Sequence, residues 1–241
     1  MLSLWVIGIT FVNTLLLALI CLSGDWLCGL QSVKGHPWSA ALVDNGVHAV
    51  IGWASWALIL LGSTTSVHRV LDLLSSTAYS RIHLWKFYEI GLCGLIASLV
   101  DLDHFVEARS WHIEKATKLN HRPFLHNSGI PILVLLFCLL FGALFSNVFV
   151  ERAGFIVFVA MMSHHLRDAW RRGLWLPLIG DAIPIPYSFY ILLVCVMPNF
   201  IRLYFMWRGF YFEKALSSFG HEDTNSTASL NIMNNSTYQD V

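Results

Sequence analysis

Four short runs hold most of the side chains able to do chemistry. Asp44-Asn45-Gly46-Val47-His48 sets a carboxylate four residues before an imidazole, a spacing that shares one helical face. Asp101-Leu102-Asp103-His104 brings Asp101 and His104 within one helical turn, with Asp103 turned elsewhere or left for a second ion. In His121-Arg122-Pro123-Phe124-Leu125-His126-Asn127-Ser128 the proline biases Arg122 away from helical dihedrals. His121 then falls in extended chain and His126 at the mouth of the helix that follows. Ser163-His164-His165-Leu166-Arg167-Asp168 returns to the four-residue spacing, with His164 and Asp168 on one face.

Taken singly, each run is explained by an internal hydrogen bond or a helix cap. Taken together they offer imidazoles and carboxylates, a set suited to Zn²⁺, Mn²⁺ or Fe²⁺ rather than to an all-oxygen Ca²⁺ cage. The candidate ligands are Asp44, His48, Asp101, Asp103, His104, His121, His126, His164 and Asp168. They exceed one tetrahedral shell, so two ions fit, as does one ion whose outer carboxylates orient the imidazoles. Such an ion acidifies a bound water and polarises an ester or phosphoryl oxygen. Asp103, Asp168 and Asp44 are candidates for ligands, for carboxylates that orient the imidazoles, or for the general base. Arg122 and Arg167 stand beside the ligands, to hold an anionic substrate group or to anchor the chain at an interface.

The elements that must position these runs are apolar. Of 241 residues 56% are hydrophobic and 12% charged, with mean hydropathy +0.61. Soluble domains carry roughly 25% charged residues, so a water-soluble globule is excluded and an integral membrane protein remains. Zero net charge gives no basic footprint for nucleic acid, and membrane lipids are the expected partners. A spanning helix needs about 20 apolar residues. Ser3–Leu22, Tyr88–Val100, Ile130–Phe149 and Tyr187–Met206 are candidates, joined by Val47–Gly62 and Phe155–Met162 at polar ends. The reading is all-α and polytopic, with six spans. With six alternating spans, all four polar runs fall on one side of the membrane, and ionisable groups at membrane depth mark functional sites.

Ser3–Leu22 lacks a positive flank and exceeds a signal peptide's apolar core, so a retained helix is expected. Residues 1–216 are read as one transmembrane domain and 217–241, rich in Ser, Asn and Thr, as a disordered tail. Ser63–Phe87 and Asp101–Ser128 are read as polar loops, and Arg167–Pro186 as a proline-rich connection turning at Gly173 and Pro177. The five cysteines are scattered without a CxxC pair, which supports neither a disulfide framework nor a zinc ribbon.

The same runs, followed by Arg172-Gly173-Leu174-Trp175, resemble the transmembrane protein 267 family in one collinear order over about residues 25 to 200. That resemblance implies a membrane topology and no particular activity. A more distant likeness is to the bacterial YdjM-like proteins, grouped as membrane-bound metal-dependent hydrolases by inference from such residues. Their pattern falls on His48, on Asp101, Asp103 and His104, on His121, Arg122 and His126, and on His164 and Asp168. Pro123 stands where a glycine is usual, Asn127 separates His126 from Ser128, the prolines around Asp-x-Asp-His are missing and His165 is an extra imidazole.

Other features have plainer readings. His36, His68, His83, His112 and His221 lack carboxylates at ligand spacing and are read as solvated. The tryptophans, Trp38, Trp53, Trp56, Trp85, Trp175 and Trp207 among them, are read as an interfacial belt, and Gly91, Gly94 and Ala97 as a helix-packing face. Basic residues divide eight to six in favour of a cytosolic site. The sequons at Asn225, Asn234 and Asn235, if used, place the tail on the opposite side. The leading expectation is a metal-dependent hydrolase of a lipid or membrane-soluble ester or phosphoester. The alternatives are a proton or divalent-metal transporter and a non-catalytic membrane protein held together by its polar cluster.

Overall fold

Apolar runs punctuated by single polar residues form long helices when those residues find partners on neighbouring helices. A computed structural model describes residues 4–63, 77–176 and 179–208 and shows this arrangement. In chain order the elements are α1 (Leu4–Gly29), α2 (Gln31–Lys34), α3 (Pro37–Ser63), α4 (Thr77–Leu99), α5 (Asp103–Glu107), α6 (Ile113–Ala116), α7 (Gly129–Leu144), α8 (Val148–Arg172), β1 (Trp175–Leu176), β2 (Gly180–Asp181) and α9 (Tyr187–Arg208). Single 3₁₀ turns occupy Val100–Leu102 and Phe124–His126.

Helix α3 is the hub, packed by α1, α4, α8 and α9, while α7 and α8 form a hairpin. One apolar cluster gathers Trp56, Ile59, Cys93, Phe155, Val159 and Phe205. A second gathers Leu17, Cys21, Val47, Ile51, Tyr190 and Val194. Helices α3 and α4 approach closely: a Cβ on Gly94 would strike the Trp53 ring, and one on Gly52 would meet the Ala97 Cβ at 2.9 Å. Gly94 and Ala97 therefore serve packing, as expected, whereas a Cβ on Gly91 would meet nothing within 4 Å.

Several helices are longer than their apolar runs. Helix α3 starts at Pro37 rather than Val47, α4 at Thr77 rather than Tyr88, and α8 covers Val148–Arg172 rather than Phe155–Met162 alone. Counting apolar residues undershoots because buried polar partners let a helix continue. Residues 77–87, expected in a loop, are helical. The expected span Ile130–Phe149 is instead broken after Leu144. Ser146 takes φ 52°, and the Asn147 side chain caps α8 by accepting from the amides of Phe149 and Val150. The connection after α8 turns at Gly173 (φ 77°), where a Cβ would strike the Ala182 carbonyl, and runs into the small β1–β2 hairpin. The expected loop residues 63 and 177, the tail at 217–241 with its sequons, His68 and His221 belong to or adjoin stretches outside the described residues, as does the side chain of His83.

Two described helices, Thr10–Gly29 and Tyr187–Met206, are long and apolar enough to cross a membrane, and Gly129–Leu144 is apolar but shorter. The other long helices carry ionisable residues such as Asp44, Glu89, Glu151 and Arg167 within them. Outward faces remain greasy: on α7, Leu133, Phe137 and Leu140 are 62–65% exposed.

Candidate metal centre

The four polar runs meet. Asp44 and His48 lie inside α3, with His48 about 16 Å along it from Pro37. Asp101 sits in the 3₁₀ turn after α4, Asp103 and His104 open α5, and His126 ends the turn before α7. His164 and Asp168 lie in the last third of α8.

Two imidazoles define the centre. The Nδ1–H of His164 donates to the Ala97 carbonyl at 2.9 Å, and that of His126 to Asp103 Oδ2 at 3.2 Å. Each bond fixes a tautomer whose Nε2 lone pair faces inward, and the two Nε2 atoms are 3.3 Å apart. Two facing lone pairs at that distance repel, and either a proton on His126 or a metal ion relieves them. Asp101 Oδ1 is 3.6 Å from both Nε2 atoms. Asp168 Oδ2 is 3.7 Å from that of His126 and 3.8 Å from that of His164. Donors bonded to Zn²⁺ at about 2.0–2.2 Å stand about 3.3–3.6 Å apart at the corners of a tetrahedron. The five distances from the two Nε2 atoms to each other and to Asp101 and Asp168, 3.3–3.8 Å, are close to these values, so the donors present fit a divalent ion.

The surroundings hold these donors in place. Asp103 also accepts from the Leu125 amide at 2.7 Å, so it orients His126 from behind. Asp168 Oδ1 takes a bond from Arg171 at 2.5 Å. Burial alone would push the Asp101 carboxyl up, but His164 and His126 beside it hold it well below the usual range. For Asp103 burial acts the same way and the imidazoles of His104 and His126 again prevail, leaving the carboxyl lowered. Burial would lower His126, yet Asp101 and Asp103 outweigh it and raise the imidazole to about 9. All three shifts say that the carboxylates are ionised and want a positive charge among them.

Other predicted residues have different duties. Arg167, 1% exposed, binds Asp25 at 2.9 Å and Asp44 at 2.8 Å, tying α1 and α3 to α8. Asp44 also meets Arg171 at 3.3 Å and stands 3.9 Å from His48 Nε2, so it serves the ion-pair network more than the centre. Arg122 donates to the carbonyls of Gly173 and Arg172 and pairs with Asp181 at 3.0 Å. Its guanidinium secures the end of α8 and the β-hairpin rather than a substrate. His121 is 70% exposed and pairs with Glu107 at 2.6 Å, away from the centre. His36 and His112 are exposed, as expected.

The sequence reading missed three participants. Asp25 also accepts from the hydroxyls of Tyr187 and Tyr190 at 3.1 and 3.0 Å. The His165 Nε2–H donates to the Leu125 carbonyl at 2.9 Å. Ala97 contributes only a carbonyl, which no side-chain pattern announces.

Two spaces adjoin the donors. A void of about 10 Å³, room for one water, is lined by His126, Ser128, His165 and Asp168 among others. A cleft of about 170 Å³ runs between Asp101, His104 and Asp168 on one side and Arg171, Arg172, Phe105 and Ile113 on the others.

The chain is similar to transmembrane protein 267 of Danio rerio, 35% identical over 184 residues that cover 76% of this chain and 75% of that one. It is 34% identical to the Mus musculus protein of the same name over 194 residues, 79% of this chain and 80% of that one. The chain belongs to the transmembrane protein 267 family. It is accordingly a membrane protein, and its membership bears out the first resemblance drawn from the four runs. No protein-family model and no solved structure matches the chain. The likeness to the YdjM-like proteins rests on the residues alone.

Proposed function

We propose that this transmembrane protein 267 family member is a six-span membrane protein whose His/Asp centre binds a divalent transition metal, Zn²⁺ foremost with Mn²⁺ or Fe²⁺ as alternatives, and hydrolyses a lipid or membrane-soluble ester or phosphoester. The observation that carries it is the pair of buried imidazoles, each fixed through Nδ1, whose Nε2 atoms face each other at 3.3 Å beside two carboxylates. A bound divalent ion supplies acidified water and a polarised substrate oxygen. The chain's own residues do the rest. Asp103 holds His126, Arg171 holds Asp168, and the void beside His126 and Asp168 has room for one water. The cleft joins two guanidiniums to an apolar wall, which suits a substrate with an anionic head and an apolar body. The polar faces of α3, α4 and α8 are turned inward, which lets helices with mixed composition span beside α1, α7 and α9.

The second reading is a non-catalytic member whose polar cluster, with or without metal, staples the helices. The observation in its favour is Arg167, which already joins α1, α3 and α8 through Asp25 and Asp44.

Metal content by mass spectrometry, on detergent-purified wild type beside His126→Ala and His164→Ala, tests the metal. A stoichiometric transition metal diminished in both folded variants is expected, and a folded wild type without metal sinks the hydrolase reading and leaves the staple. Chelator-sensitive hydrolysis of lipid esters or phosphoesters by the loaded protein then separates them. Metal without hydrolysis across such substrates leaves the staple.

A further inference from the structure

The four inner donors leave buried ring nitrogens of His48 and His104 unexplained. His48 is 1% exposed, and neither of its ring nitrogens has a hydrogen-bond partner among the described residues. His104 Nδ1 is likewise buried without a hydrogen bond, although Asp103 Oδ1 lies 3.2 Å away. Burying a polar atom without a partner costs on the order of 1–3 kcal/mol, so orphans crowded into one place mark a missing partner.

Both orphans flank the centre, on opposite sides. His48 Nε2 is 3.5 Å from Asp168 Oδ1, the oxygen not shared with the inner pair, and its ring stacks on that of His164 at 3.7 Å. His104 Nδ1 is 3.8 Å from Asp101 Oδ1, and its ring meets His126 edge-on at 4.6 Å. The donor atoms of His48, His164 and Asp168 all lie within 4.8 Å of one another, and so do those of Asp101, His104 and His126. Each triad has two imidazoles and one carboxylate. Across the divide, Asp101 is as near to His164 as to His126, and Asp168 is nearly as close to His126 as to His164.

Charge points the same way. Arg167 and Arg171 pair with Asp25, Asp44 and Asp168, while Asp101 and Asp103 pair with imidazoles, so five carboxylates face two guanidiniums and three negative charges remain when the imidazoles are neutral. One divalent ion does not balance them.

We infer that the centre takes two divalent transition-metal ions side by side, one held by His48, His164 and Asp168 and the other by Asp101, His104 and His126, with the two carboxylates reaching across. This rests on the metal reading above and goes beyond it in number and in the duty of His48 and His104. Paired ions about 3.5–4 Å apart clamp both the attacking and the leaving oxygen of a displacement at phosphorus or carbon.

Titration of the chelated, detergent-purified full chain with Mn²⁺, followed by metal content and electron paramagnetic resonance, tests it. The expected result is two equivalents of Mn²⁺ per chain with the spin-coupled, many-line spectrum of a pair. His48→Ala and His104→Ala should each retain one equivalent and show the six-line spectrum of an isolated ion. Saturation of wild type at one equivalent with a six-line spectrum overturns the pair and leaves the single centre standing. Two equivalents retained by both variants overturn the assignment of His48 and His104. No bound metal in folded wild type overturns the pair and the metal reading together. The wild-type arm decides even if a variant fails to fold.

Discussion

Helix α8 carries two buried polar constellations, at Arg152 and at His164, about 18 Å apart along its axis. At Arg152 the accounts close. Glu89 Oε1 accepts from Arg152 Nε at 2.5 Å and from the Trp85 indole at 3.1 Å, while Oε2 accepts from Arg152 at 2.7 Å and from the Trp56 indole at 3.1 Å. The pair is bidentate, charge-neutral and nearly dry, with Glu89 5% and Arg152 9% exposed. At His164 the accounts stay open, with lone pairs facing each other, orphaned ring nitrogens and surplus carboxylates. Both regions bury ionisable groups in a membrane protein, which is expensive in either place. The difference is that the first pairs its charges with protein atoms, whereas the second leaves ring nitrogens without partners among the described residues. Burial of charge by itself therefore does not distinguish a staple from a binding site; the tally of partners does.

The largest expected effect breaks the closed region. Arg152→Ala leaves Glu89 buried without its counter-ion and should destabilise the protein by about 3–5 kcal/mol. Glu89→Gln combined with Arg152→Met should recover much of that loss, because no bare charge stays behind. Thermal unfolding in detergent measures both. The metal content of whatever folded protein remains should not change, since the pair lies far from the centre. A metal loss that tracks Arg152→Ala in folded protein would show that the two regions are one unit.

Next in size is removal of the ion from the open region. With free metal at a hundred times its dissociation constant, binding adds about 2.7 kcal/mol of stability. A chelator should therefore lower the melting temperature of wild type and of Arg152→Lys, and leave that of the double variant His126→Ala, His164→Ala unmoved. A chelator without effect on wild type would place the open region in the same class as the closed one.

A smaller effect, on the order of 1–2 kcal/mol, should follow from pH in the chelated protein, where a proton on His126 stands in for the ion. The folded value, about 9, is above the ordinary 6.5, so protonated His126 stabilises the fold in full below about pH 6.5. That contribution fades as pH rises through about 9. The chelated protein should lose stability between pH 7 and pH 10 relative to the metal-loaded protein, whose imidazole carries metal instead of a proton. Parallel pH curves for the two samples would count against a shared role for proton and ion at His126.

The open region was largely legible in the sequence and the closed one was not, for a physical reason. Asp44 with His48, Asp101 with His104 and His164 with Asp168 are neighbours on one helical turn, so spacing alone announces them. Their convergence followed from the alternation of spans, which sets every run at the same end. Glu89 and Arg152 are 63 residues apart with no local companion, and their meeting depends on how α4 and α8 are rotated about their axes. Nothing in an apolar run reveals that rotation, and Trp56 and Trp85, read as an interfacial belt, turned out to be donors to Glu89. Asp25 was overlooked likewise, a single acid at the end of a greasy helix. Arg122 is non-helical, as Pro123 suggested, but its duty depends on the carbonyls of Arg172 and Gly173 where α8 ends.

The smallest expected effect sharpens the boundary of the open region at His121. By type and spacing it qualifies as a ligand as well as His126 does, five residues on. Its ring is 70% exposed, however, and pairs with Glu107 at 2.6 Å, where solvent screens the interaction. Exposed pairs of this kind contribute about 0–1 kcal/mol, so His121→Ala should shift stability by about 0.5 kcal/mol or less and leave metal content intact. The contrast with His126→Ala is the point of the experiment, because the two substitutions remove the same chemistry from one loop. Metal loss in both would require residues 117–123 to fold over the centre when the ion binds, since only that movement brings His121 to it.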